Sequence, residues 1–291
     1  MPKFKSMTRQ VQENLQGKLK IGVSKHSDKA LGITHESIYS WGTFEAYLKH
    51  DCAFVNWAKA EHGCRSLEGA RQYVDEYLQR QIDKGLSPYT QKLKASALAK
   101  LYDCKTTDFI KTQTRHRSDI ARSRLGGRVR DKHFSVENNK ELIEFCRATG
   151  LRRTEAAYLN KEQLVFDADK NTYHIHLDST AKGGRPRDIP VVSEAVIQRF
   201  LNTPDGKRVW EKIHGAADIH SYRADFARDM YKRLARPKDE IPVGDRYCCR
   251  GDLKGIWYDK RAMREVSRAL GHNRLSVIAE HYLYEPAGEK R

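Results

Sequence analysis

Ala269-Leu270-Gly271-His272-Asn273-Arg274-Leu275-Ser276-Val277-Ile278-Ala279-Glu280-His281-Tyr282-Leu283-Tyr284 is the stretch on which the reading of this chain turns. Met263, Val266 and Leu270 recur at intervals of three and four, so a helix buries that stripe and runs up to Gly271. Glycine tolerates the left-handed conformation that ends a helix, and the turn throws the next residue, His272, out of the helical row. A second helix follows and carries Tyr282 ten residues after the histidine, with Tyr284 two further on. The histidine and the two tyrosines are candidate functional residues.

The rest of the chain says what such a site would meet. Lys and Arg number 54 against 38 Asp and Glu, a net charge of +16 with a pI near 9.5, which points to a polyanion such as nucleic acid. Basic membrane-surface and ribosome-associated proteins share that balance, so charge alone leaves the partner open. A hydrophobic share of 39% over 291 residues is enough for one large or two ordinary domains. No run of eighteen apolar residues occurs and the first twenty residues have no apolar leader core, so neither a membrane span nor secretion is expected. Cys52, Cys64, Cys104, Cys146, Cys248 and Cys249 lack zinc-knuckle spacing and read as reduced thiols of a cytoplasmic protein, with one of the adjacent pair in the core and the other exposed.

Residues 1–40 carry seven lysines and arginines against three acids and read as a mobile basic arm, either tracking DNA or simply solubilising. Residues 41–113 follow helical spacing. Phe44, Tyr47, Leu48, Phe54, Val55 and Trp57 suit one helix with Thr43 as its N-cap, Leu67 to Ile82 a second stopped by Gly85, and Ser87-Pro88 opens a third. Residues 114–134 form a basic linker around Gly126-Gly127, in which Arg115, Arg117, Arg122, Arg124, Arg128, Arg130 and Lys132 could follow phosphates or present a solvated face. Residues 135–291 make a second domain: a helix through Leu142 and Phe145, a strand at Val165-Phe166, and a strand burying Tyr173, Ile175 and Leu177 but exposing His174 and His176. A turn at Gly183-Gly184 and a strand from Asp188 follow, then mostly helix after Pro190.

Three further clusters lie upstream of the Leu-Gly-His stretch. Thr149-Gly150-Leu151-Arg152-Arg153-Thr154-Glu155 is a glycine turn that launches a helix with an arginine at its start. Lys182 sits at the tip of the basic hairpin Ala181-Lys182-Gly183-Gly184-Arg185-Pro186-Arg187. His220-Ser221-Tyr222-Arg223 puts a histidine and an arginine one turn apart on one helix face. Each has an ordinary reading by itself, as a charged helix start, a surface turn and a solvated helix face.

In this order, within one domain, these residues resemble the catalytic domain of the tyrosine recombinases, the family of phage and integrative-element integrases. The resemblance implies a mainly α fold with a small antiparallel β-sheet: a helical core-binding (SAM-like) N-terminal domain plus the tyrosine-recombinase catalytic domain. It makes Tyr282 the nucleophile, with Tyr284 as the alternative. The family's tyrosine usually stands nine residues after the histidine, where this chain has His281, and a one-residue insertion before Tyr282 accounts for the difference.

The resemblance also implies roles. Arg152 and Arg223 clamp the phosphate, a task suited to guanidinium forks that stay charged and bind phosphate bidentately. A tyrosine hydroxyl is almost wholly protonated at neutral pH and needs a proton acceptor, here His220, while His272 would bond a non-bridging oxygen and Lys182 would protonate the departing 5′-oxygen. Arg153, Arg185 and Arg187 join the linker residues as expected DNA contacts. No Walker-type loop and no cluster of acids for a metal appears, and the resemblance implies no cofactor. Expected partners are double-stranded DNA at attachment sites, three further copies in a tetramer on that DNA, and accessory DNA-bending proteins, all in the cytoplasm at the nucleoid. A type IB topoisomerase-like enzyme and a non-catalytic DNA-binding regulator of the same fold are the alternatives.

Overall fold

A computed structural model describes residues 5–116, 134–178 and 186–284. They fall into two compact units, one within residues 1–120 and the other within 121–291.

In the first unit, helix α1 (Met7–Gly17) lies where a basic arm was expected. Met7, Val11 and Leu15 stand four residues apart and are buried, packing with Phe54, Val55 and Ala58 of a later helix, so this segment is part of the core. The intervening charges hide that apolar row from a reading by composition. A short α2 (Lys25–Ala30) follows, then α3 (Trp41–His62), whose N-cap is Ser40 rather than Thr43: Ser40 Oγ accepts from the Thr43 amide at 3.2 Å. The helix expected over 67–82 is broken into α4 (Leu67–Arg71) and α5 (Val74–Asp83). Gly85, at φ 66°, ends α5, and Ser87 with Pro88 opens α6 (Pro88–Leu101).

Asp51 on α3 is fully buried, and neither carboxyl oxygen has a hydrogen-bond partner among the described residues. Burial raises its pKa well above the usual carboxylate range. A carboxyl whose folded pKa is raised contributes stability that is whole below the unfolded value and is lost as pH rises, at about 1.4 kcal/mol per pH unit until the folded pKa is reached. Asp51→Asn is therefore expected to be indistinguishable from wild type near pH 4 and about 1–3 kcal/mol more stable at neutral pH, measured by denaturant unfolding of the full chain across pH.

In the second unit, α7 (Lys140–Thr149) buries Leu142, Ile143, Phe145 and Cys146, and Gly150 ends it at φ 60°. Then come α8 (Arg153–Tyr158) and an antiparallel sheet of β1 (Leu164–Asp167), β2 (Thr172–Leu177) and β3 (Arg187–Val191) in that order. Ile175 pairs with Ile189 and His176 with Asp188, so alternate residues of β2 and β3 face the core. Helix α9 (Glu194–Leu201) precedes α10 (Ile219–Leu234), which packs against α7. A second hairpin, β4 (Arg246–Cys248) with β5 (Trp257–Asp259), lies within the part of the chain that the sequence suggested was mostly helix. Its strands are three residues long, too short to show an alternation. Helix α11 (Lys260–Ala269) buries Met263 and Val266, and α12 (Leu275–Ile278) runs on into a π-helical turn over Ala279–Leu283. Cys249 is buried and Cys248 exposed. No described helix is long and apolar enough to cross a membrane.

Candidate active site

Gly271 ends α11 at φ 62° and leaves the last carbonyls of that helix without helical partners. Three arginines take them. Arg187 Nε donates to Ala269 O at 3.0 Å, Arg152 Nη2 donates to Leu270 O at 3.2 Å, and Arg223 Nη2 donates to the same Leu270 oxygen. The negative end of the helix dipole and the guanidinium charges attract one another, so the end of one helix gathers cations from the N-cap of α8, from β3 and from α10.

Arg223 is 1% exposed. Its Nη1 donates to Gly150 O and its Nε to Tyr282 Oη at 3.2 Å, with the guanidinium 5.7 Å from the tyrosine ring centre. Burial lowers its pKa, yet arginine starts high enough to remain charged. His272 Nε2 stands 3.1 Å from the same Tyr282 oxygen. Burial first, then the charges of Arg223, Arg152 and Arg187, brings the His272 pKa down to about 4, so the ring is neutral at physiological pH and one of its nitrogens is an acceptor.

Tyr282 reaches this point through the π-helical turn. The Tyr284 amide donates to Ala279 O, five residues back, at 3.1 Å. A π-turn takes up one extra residue in a helix, and its widened step brings Tyr282 inward to 3% exposure where the nine-residue spacing would have brought His281. His220, at the start of α10, is exposed, and its ring centre lies 5.7 Å from that of Tyr282. Both histidines therefore border Tyr282, His220 against its ring and His272 at its hydroxyl.

Glu155 was not singled out in the sequence. It is 8% exposed; Oε1 accepts from Arg152 Nη1 at 2.6 Å, and Oε2 accepts from the Arg152 amide and from Arg187 Nη2, both at 2.7 Å. Burial pushes its carboxyl pKa up, but Arg187 and Arg152 outweigh that and hold it below the usual value. The signal for it was the Arg152-x-x-Glu155 spacing, which puts a glutamate at the third helical position of α8, where its carboxylate accepts from the N-cap amide.

Two expected DNA contacts point inward instead. Arg187 is 9% exposed, and Arg153 donates to the carbonyls of His214, Gly215 and Ala217, so both are held by the protein. Arg115 lies over the Tyr89 ring at 5.5 Å. Arg117, Arg122, Arg124, Arg128, Arg130, Lys132, Lys182 and Arg185 lie outside the described residues. His176 Nδ1 is 2.8 Å from Asp188 Oδ1, and no described group of three or more His, Cys, Asp and Glu side chains could hold a metal.

No family model matches the sequence, and no curated protein matches it. Solved structures match its fold. The XerH site-specific recombinase, bound to difH substrate in a pre-cleavage complex, is similar over 94% of this chain and 91% of its own, at 14% identity and a TM-score of 0.50. The Tn1549 transposon integrase (residues 82–397), in complex with circular intermediate DNA, matches over 97% and 96%, at 14% identity and a TM-score of 0.47. The chain has the fold of the tyrosine recombinases, mainly helical with small antiparallel sheets.

Proposed function

We propose that this chain is a site-specific DNA recombinase or integrase that cuts and rejoins strands through a 3′-phosphotyrosine on Tyr282. The observation that carries this reading is the convergence of Arg223 Nε and His272 Nε2 on the Tyr282 hydroxyl. A donor cation holds the oxygen in place, and a neutral imidazole beside it can take its proton as the attack proceeds.

The Tyr282 oxygen attacks phosphorus, a tyrosine–phosphorus bond forms, and the bond to the 5′-oxygen breaks. The phenolic proton passes to His272, and the departing 5′-oxygen takes a proton from Lys182. A bound phosphate adds negative charge beside His272 and makes it a better base. In this reading His220 hydrogen-bonds the phosphate, with Arg152 and Arg223 neutralising the charge that builds on its non-bridging oxygens. Attack by the free 5′-hydroxyl of another strand reverses these steps. The expected assembly is four copies on two attachment sites.

The test uses duplexes recovered from a random-sequence pool by binding to the full chain, with a nick stepped along one strand so that the cleaved end diffuses away. A covalent protein–DNA band on a denaturing gel, with the modified tyrosine mapped to residue 282, is the expected result. Binding without any adduct would support the non-catalytic regulator.

A further inference from the structure

We infer that Arg187 is a positioning residue of the cleavage site: it balances Glu155, so that the charge of Arg152 remains free for the scissile phosphate. This rests on the proposed cleavage reaction. Arg187 is buried at the base of the β2–β3 hairpin, five residues after Lys182, where it cannot lie on a DNA backbone as a surface arginine would. Its guanidinium joins two parts of the site, through Nη2 to Glu155 Oε2 at 2.7 Å and through Nε to Ala269 O at 3.0 Å.

The charge count gives the reason. Glu155 is a single buried carboxylate between two guanidiniums, Arg152 on one oxygen and Arg187 on the other. With both present the trio carries one net positive charge, and Arg152 has charge to offer a phosphate. Without Arg187 the carboxylate and Arg152 neutralise each other in a low-dielectric setting, and a buried acid with one partner holds that partner tightly. Arg187 also fixes the neighbouring turn: a Cβ at Gly271 would come within 3.0 Å of Arg187 Cδ, so the glycine before His272 and the arginine share one space.

The test compares single-turnover adduct formation by wild type, Arg187→Gln, Arg187→Lys and the double variant Arg187→Gln/Glu155→Gln. Each is run on the normal duplex and on one carrying a methylphosphonate at the cleaved position, which lacks one negative oxygen. Arg187→Gln is expected to be slower by about 10- to 100-fold on the phosphodiester, the usual range for a supporting partner of a functional ligand. It should come close to wild type on the methylphosphonate, where less charge needs neutralising. Arg187→Lys and the double variant should each recover part of the loss on the phosphodiester. A purely structural role predicts an equal deficit on both substrates and no recovery in the double variant, and either that result or an unchanged rate overturns the inference.

A readout independent of cleavage guards against a wrong functional reading. The charged groups acting on His272 are Arg223, Arg152, Arg187 and His281, so removing Arg187 should raise the pKa of the His272 ring, followed by NMR. Wild type without an adduct would sink the cleavage reading alone; an unchanged His272 titration in folded Arg187→Gln would sink the coupling of Arg187 to the site, and Arg187→Lys, which keeps the charge, serves as its control.

Discussion

Tyr282→Phe should abolish the covalent adduct while the second unit stays folded, and Tyr284→Phe should leave adduct formation close to wild type. The substitution removes one oxygen from a ring that is 3% exposed and packed beside His220, His272 and Arg223, so the ring keeps its place. What goes is the acceptor for Arg223 Nε and the partner of His272 Nε2, at a cost of about 1–2 kcal/mol in stability for the groups left unpaired. A modest fall in melting temperature beside complete loss of the adduct is therefore the expected pattern. Tyr284 sits past the π-helical turn, and its amide, which phenylalanine retains, closes that turn on Ala279. Loss of the adduct in Tyr284→Phe alone would move the nucleophile by two residues and leave the Arg223–Tyr282 contact a structural one.

Much of this site could be read before any coordinates because the residues that build it also obey local rules. Leu270-Gly271-His272 is legible since Met263, Val266 and Leu270 form a helical stripe and glycine then takes the left-handed turn at φ 62°. His220 and Arg223 are legible from their spacing, although spacing does not say that the arginine is buried and bonded to two backbone carbonyls. The π-turn explains why counting residues from His272 to Tyr282 ran one over the familiar interval: helical phase changes inside the turn, and no residue type marks it.

Arg187 was misread because a basic hairpin suggests solvent. The alternation that buries Ile189 and Val191 already places Arg187 on the same inward face, since every second residue of a strand faces one side. Its charge argued against that placement, and only the buried partner Glu155 resolves the conflict. α1 was missed for a similar reason: Met7, Val11 and Leu15 keep helical spacing within a segment whose composition is otherwise basic. In both cases periodicity was the better guide than charge. Composition describes an average over a segment, whereas burial is decided row by row.

Gly150→Ala is expected to lose about 2–5 kcal/mol of stability in the second unit and to impair cleavage as well. Gly150 has φ 60°, and a Cβ there would lie 2.4 Å from Cδ1 of Phe226 on α10, closer than carbon atoms can approach. The left-handed conformation costs an alanine about 1–2 kcal/mol, and forcing a methyl into a packed core adds about 1–3. Against the 5–15 kcal/mol typical of a whole domain this is a large share. Gly206 supplies the control. It has φ 70° with nothing within 4 Å of a Cβ, so Gly206→Ala carries the conformational cost and no clash. The difference between the two variants in denaturant unfolding isolates the contact with Phe226. That contact bears on chemistry because Gly150 O accepts from Arg223 Nη1, and Phe226 lies one turn from Arg223 on the same helix. A methyl that pushes Phe226 away shifts the arginine's helix and its carbonyl anchor together, and with them the donor to Tyr282 Oη. Equal costs for the two variants would mean that α10 yields freely at Phe226, and that the glycine before Arg152 serves only to turn the chain.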